Sequence, residues 1–136
     1  MSVPMILRYE LHTHHPTRTG NHYVLVDDDG VIRAHQNAKD PPPGRAWTVD
    51  PAHAPVGKLA NPRPVIEKAL RKGGFFAMPP RIESVTTQGG IARTLAYVDA
   101  AGVERAVTVD RARSPEFDKL VRRVLDTLDL AEIPAA

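Results

Sequence analysis

Two histidines near the start of the chain have the spacing of a metal-binding pair. His12 and His14 extend a segment in which apolar and polar residues alternate, the pattern of a half-buried strand. Alternate residues of a strand share a face, so the two imidazoles would lie about 7 Å apart and could chelate one ion. A catalytic zinc needs a third protein ligand, which no spacing in the sequence supplies. We therefore expect a surface histidine pair and no metal site, with His12 and His14 as the candidate ligands in the alternative case, and no cofactor is expected.

An acidic run, Asp27-Asp28-Asp29-Gly30, has the composition of a calcium loop but not its spacing. With Gly30 at the sixth position of an EF-hand loop, the first ligand would be Leu25 and the twelfth would be Gln36, and neither is a carboxylate. A hairpin turn explains the run better, because a glycine at its end can take the positive φ that such turns need.

The motifs of the common enzyme classes are missing from the sequence. There is no P-loop, no G-x-G-x-x-G, no G-x-S-x-G elbow and no H-E-x-x-H helix. Cysteine is absent, and of the three serines Ser114 is placed to cap a helix. The carboxylates fall in turns or on helix faces and do not converge on one position. We therefore expect a protein that is not an enzyme and that acts by binding another macromolecule.

The composition is that of one globular domain. Of the 136 residues, 42% are hydrophobic and 25% are charged, and no apolar run is long enough to cross a membrane. The absence of cysteine makes a cytoplasmic location the default expectation. The net charge is +2, and its one asymmetry is the segment 58–81, which carries six cations and one anion. Aromatic residues do not alternate with these cations, so the pattern does not favour nucleic-acid binding, and a solvated cationic helix face is the simpler explanation.

The pattern of elements predicts the α+β class, with an antiparallel sheet of about six strands and two helices packed on one of its faces. The β-rich segments are 7–14, 22–26, 31–35, 82–87, 91–98 and 103–109. Pro-rich residues 37–61 form a predicted loop that separates two half-units, 1–36 and 62–136, of a single domain 1–136. This loop contains Trp47, which either pins the loop to the body of the domain or stays exposed as an anchor for a partner.

Two helices have clear start signals. The first begins at Asn61-Pro62 and ends at Gly73-Gly74, and the second begins at Ser114-Pro115. In the second, apolar residues recur at i, i+3, i+4, i+7, i+8 and i+11 from Phe117. Between the helices, the adjacent Phe75 and Phe76 cannot both be idle on the surface, so at least one of them is expected to enter the core.

A short motif occurs twice. Val-Asp-x-x-Gly-Val-x-Arg-Ala begins at Val26 and again at Val98. The repetition is consistent with a duplicated β-β-β-α unit, although D-x-x-G hairpins also arise independently.

A series of motifs runs through the second half of the chain. They are the helix with Val65-Ile66-x-x-Ala69-Leu70, the exit Gly74-Phe75-Phe76-x-Met78-Pro79-Pro80, the hairpin Ala96–Val103, the strand Ala106–Asp110 and the helix after Ser114-Pro115. In these motifs the chain resembles emfourin, a small bacterial inhibitor of thermolysin-like metalloproteases, and the resemblance covers roughly 65–128. The family's opening Gly-Gly-Phe is not found in residues 1–20, so no contact residue is carried over from the first half.

This resemblance implies a stoichiometric protein binder whose partner is a thermolysin-like metalloprotease. Such an inhibitor presses preordered loops into a cleft, and its prolines limit the entropy lost on binding. The expected partner-binding residues are Trp47, Phe75, Met78 and Pro79. Two alternatives remain: a structural or assembly subunit that joins a larger complex through its sheet edge or its Pro-rich loop, and a histidine-dependent metal-binding protein.

Overall fold

A computed structural model describes residues 5–13, 22–36, 55–83 and 91–130. The strands are β1 (Met5–Thr13), β2 (His22–Asp27), β3 (Val31–Gln36), β4 (Gly57–Lys58), β5 (Arg81–Glu83), β6 (Ile91–Val98) and β7 (Glu104–Asp110). The helices are α1 (Pro62–Lys72) and α2 (Pro115–Thr127), and a short 3-10 helix spans Phe75–Ala77. Trp47 and His14 lie outside the described residues.

All seven strands form one open sheet in the order β4-β3-β2-β1-β6-β7-β5. Every neighbouring pair is antiparallel except β5 and β7, which run parallel. The α+β class is confirmed, with one strand more than predicted. The extra strand is β4, which pairs with Val31 and Ile32 of β3. Part of the predicted loop 37–61 is therefore a sheet edge, and residues 37–54 lie outside the described part of the chain.

The central strand β1 joins the two half-units. It pairs with β2 on one side and with β6 on the other, so that Tyr9 lies opposite both Val24 and Leu95. Because these pairings are continuous across the sheet, the two halves share one hydrophobic core. The sheet residues that face this core are Leu7, Tyr9, Val24, Val26, Ile32, Ala34, Leu95, Tyr97, Val107 and Val109.

Both helices pack on that face of the sheet, as predicted. The periodic apolar residues of α2 are buried, apart from the half-buried Leu125, and the Ser114 hydroxyl caps the helix by accepting a 3.2 Å hydrogen bond from the Phe117 amide. The first helix begins at the predicted residue but without the expected side-chain cap, because Asn61 adopts the left-handed region at φ 50° and its side chain does not bond to the helix.

The two hairpin turns have the same geometry. In each, one aspartate Oδ1 accepts two backbone amides: Asp27 accepts Asp29 and Val31 at 3.0 Å, and Asp99 accepts Ala101 and Val103 at 2.9 Å. The glycines that close them, Gly30 and Gly102, have φ of 86° and 83°. The acidic run is thus hairpin chemistry, as predicted.

The first strands of the two predicted repeat units do not correspond in the sheet. Strand β1 lies beside β2, but its counterpart β5 pairs with β7 and not with β6. A duplicated β-β-β-α unit would place β5 beside β6. The correspondence is therefore limited to the hairpins β2–β3 and β6–β7 and the helix that follows each of them.

Polar and charged residues occupy much of the sheet face opposite the helices. Arg8 lies between Glu10 and Glu104, with N–O distances of 3.3 and 3.2 Å, and Thr94 hydrogen-bonds Thr108 across β6 and β7 at 3.0 Å. At the sheet edge, Arg81 of β5 pairs with buried Asp110 at 2.7 Å.

Candidate functional site

A surface cleft opens where α1, the 3-10 helix and the β6–β7 turn meet. Its volume is about 520 Å³. The residues that line it are Glu67, Arg71, Gly74, Phe76, Ala77, Tyr97 and Asp99. We call it the Phe76 cleft, because Phe76 carries the exposed aromatic ring of its lining in the described part of the chain.

The two adjacent phenylalanines have opposite environments. Phe75 is 0% exposed and belongs to the core, whereas Phe76 is 38% exposed. The Phe76 ring stands edge-to-face on Phe75 with centroids 5.2 Å apart, and on Tyr97 at 6.4 Å. Gly74, at φ 80°, turns the chain from α1 into the 3-10 helix, in which adjacent side chains point about 120° apart. The sequence pattern correctly required one ring in the core.

The backbone beneath the Phe76 ring is tied to the sheet. The guanidinium of Arg105 on β7 donates from Nη2 to the carbonyl oxygens of Phe76 and Met78, at 2.8 and 3.3 Å. The amide of Met78 also donates to the carbonyl of Phe75 at 3.2 Å. The backbone that carries the exposed ring is therefore held both by Arg105 and by a local hydrogen bond. This segment loses little conformational freedom when a partner covers the ring.

A hydrogen-bonded network forms the wall of the cleft. The Tyr97 hydroxyl donates to Oε2 of Glu67 at 3.0 Å, and Arg71 donates to Oε1 of the same carboxylate at 2.9 Å. Burial raises the pKa of the Tyr97 hydroxyl, and the hydrogen bond to Glu67 and the charge of Glu67 raise it further. Tyr97 therefore stays a neutral donor, and Glu67 is held in place from both sides.

A second depression of about 540 Å³ runs along the exposed side of α1. The residues that line it are Arg63, Pro64, Glu67, Lys68, Arg71, Lys72 and Ala100. It shares Glu67 and Arg71 with the Phe76 cleft, so this ion pair forms a ridge between the two depressions. An apolar ring on one side of the ridge thus borders exposed cations on the other.

The sequence-predicted partner-binding residues have different positions in the structure. Phe75 cannot contact a partner without leaving the core, which corrects its assignment as an anchor. Met78 is half-buried against the same core, and Pro79 is exposed beside it. Trp47 falls outside the described residues. Phe76, which is not among the predicted anchors, is the exposed ring. The adjacency of the two phenylalanines indicated that at least one would be buried, but not which one.

The histidine pair falls at the limit of the described chain. The backbone of His12 pairs with Ala92 in the β1–β6 ladder, but its side chain and all of His14 lie outside the described residues. Within the described residues, no three His, Asp or Glu side chains are grouped as metal ligands. No described helix is long and apolar enough to cross a membrane.

The residues of the Phe76 cleft offer an apolar ring, a phenol, two carboxylates and an arginine, a set suited to contact with another molecule.

Comparisons with protein families, with curated proteins and with solved structures found no match for this chain. The geometry of the cleft therefore carries the functional argument.

Proposed function

We propose that this chain is a non-catalytic protein-binding module and that the Phe76 cleft is its contact surface. The observation that carries the proposal is the exposed Phe76 ring on a backbone held by Arg105. Aromatic side chains, phenylalanine among them, are enriched in the buried centre of protein interfaces, where a few residues carry most of the binding energy. A cytoplasmic location belongs to the proposal and rests on composition alone.

The proposed partner is a thermolysin-like metalloprotease, which the module would inhibit. The resemblance to emfourin over roughly 65–128 supports this partner, because that segment contains α1, the 3-10 helix and the β6–β7 hairpin, the three elements that build the cleft. An inhibitor needs a rigid surface more than a reactive group, and the ties to Phe76 and Glu67 supply rigidity at this position.

An assembly subunit that adds its sheet edge to a partner is less well supported. In the described part of the sheet, the edge strands β4 and β5 have two and three residues. The β5 edge also carries Arg81 and Glu83, which pair with each other at 2.8 Å. Short, charged edge strands are features that limit pairing with another chain.

The proposal is tested by titrating thermolysin with the full chain while following hydrolysis of a fluorogenic peptide. We expect a stoichiometric loss of protease activity. Phe76→Ala should raise the inhibition constant by about tenfold or more, the effect of removing an interface hot spot. Val56→Ala is the matched control, since Val56 is 39% exposed and lies beside β4 at the other end of the sheet order.

Two results would count against the proposal. Full protease activity with the chain in large excess would reject the inhibitor assignment. Equal inhibition by the wild-type chain and Phe76→Ala, with both variants folded, would reject the Phe76 cleft as the contact surface.

A further inference from the structure

We infer that the Phe76 cleft takes an extended, acidic segment of its partner protein, with an apolar side chain on Phe76 and carboxylates on the cations of α1. This inference rests on the proposed function and names the chemistry of the segment that is bound. It follows from the way the two depressions join across α1, and from the charges on either side of the junction.

The two depressions form one path for a peptide. They meet at the Glu67–Arg71 pair, and the second continues along the exposed side of α1 from Arg63 to Lys72. Over those residues the helix rises about 14 Å, a length that about four extended residues span. A segment anchored on Phe76 therefore needs only a few further residues to pass all the cations of α1.

Arg71 is positioned to receive the first carboxylate. Its side chain is 71% exposed, and its orientation is set by Glu67, which is itself held by Tyr97. A guanidinium has five N–H donors, and the bond to Glu67 is made by Nη2, so donors remain for a partner's carboxylate. The ion pair thus orders the cation without consuming its capacity to bind.

Lys68 and Lys72 extend the positive charge beyond the ridge. Both are exposed, and neither forms an ion pair within the described part of the chain. They are four residues apart, so they lie on the same side of α1. The unbalanced charge attracts carboxylates and repels basic segments, which makes an acidic partner sequence the complementary one.

The carboxylates at the cleft favour a protein segment over a nucleic acid. Asp99 lines the Phe76 cleft and uses Oδ1 for its own turn, which leaves Oδ2 as an acceptor for a backbone N–H of a bound peptide. A sugar-phosphate backbone offers no N–H donor for this oxygen. A single exposed ring is also a poor platform for a strand of stacked bases.

The test is selection of a random twelve-residue peptide library, displayed on phage, against the immobilised full chain. The expected sequences combine a large apolar residue with several Asp or Glu residues. A labelled synthetic copy of the most enriched peptide is then titrated by fluorescence anisotropy. Lys68→Glu/Lys72→Glu should weaken its binding by about tenfold or more, whereas Lys119→Glu/Arg122→Glu, which makes the same charge change on the exposed side of α2, should change it by less than about twofold.

The possible results separate this inference from the proposed function. Peptides whose binding is lost in Phe76→Ala but which lack acidic residues would overturn the inference and leave the function standing. Peptides indifferent to Phe76→Ala would contradict both. Equal weakening by the two charge reversals would overturn the inference, because it would show a general effect of net charge. Displacement of the peptide by a single-stranded DNA oligonucleotide at physiological salt would favour a nucleic-acid ligand and overturn it as well.

Discussion

Phe75 and Phe76 stand edge-to-face with an interplanar angle of 83°, one ring closed inside the core and the other open to solvent. A binding module needs a backbone that is anchored in the fold and a side chain that is exposed to its partner, and the pair supplies both. The buried ring fixes the segment in the fold, and the exposed ring is held at a defined position. The contact between the rings therefore lets the buried Phe75 hold Phe76 in the position proposed for partner binding.

Alanine substitutions of the two rings should have very different effects on the free energy of unfolding. Phe75→Ala is expected to lower the free energy of unfolding by about 3–5 kcal/mol, the cost of emptying a buried phenylalanine site. Phe76→Ala should cost about 1 kcal/mol, since its ring is already partly in water. Urea denaturation of both variants measures this difference. Equal losses would contradict the assignment of one ring to the core and the other to the surface.

The twin hairpins provide a matched pair of glycine substitutions. Gly30→Ala and Gly102→Ala carry the same backbone strain, because the φ angles of these residues differ by only 3°. At Gly30 a new Cβ would also lie 2.1 Å from the carbonyl oxygen of Leu59, whereas at Gly102 it would meet open space. We expect a loss of about 1 kcal/mol for Gly102→Ala and at least about twice that for Gly30→Ala.

Thermal unfolding of the two glycine variants is the measurement. A domain of this size should show a difference of several degrees in Tm, on the order of 3–5 °C per kcal/mol. A larger loss for Gly102→Ala than for Gly30→Ala would contradict the close approach of Leu59 to the first hairpin.

Alkaline pH should destabilise the fold through its buried tyrosines. Burial raises the pKa of the Tyr97 and Tyr9 hydroxyls above the usual value of 10. The unfolded chain ionises first, so the stabilising contribution is complete below pH 10 and is lost as the pH rises through the folded-state pKa. Urea denaturation as a function of pH should show this decline, and Tyr97→Phe should make it shallower. A decline in Tyr97→Phe as steep as that of the wild-type chain would contradict this role of Tyr97.

Local patterns predicted the elements well because their causes are local. The spacing of apolar residues from Phe117 fixes the buried side of α2, and the D-x-x-G sequences at Asp27 and Asp99 fix two hairpins through side-chain-to-backbone bonds. The class of the fold follows from these elements, since a sheet with one apolar face must bury it against another layer, and two amphipathic helices provide that layer.

Long-range pairing and the surface of the cleft were not predictable in the same way. The parallel pairing of Ile82 with Val109 and the edge strand at Gly57 depend on contacts between distant segments. Such contacts produce no periodic pattern in the amino-acid sequence. The division between Phe75 and Phe76 depends on the left-handed turn at Gly74 and on the bonds from Arg105. The hydrogen bond between Glu67 and Tyr97 joins residues thirty positions apart, and no sequence motif predicts it.

The central claim is that a protein partner covers the Phe76 cleft, and hydrogen–deuterium exchange tests it most directly. The full chain is measured alone and with a catalytically inactive thermolysin variant in excess. We expect slower exchange over residues 74–78 and 97–100, and no change over α2 at 115–127. Unchanged exchange throughout the chain, or protection confined to α2, would contradict it.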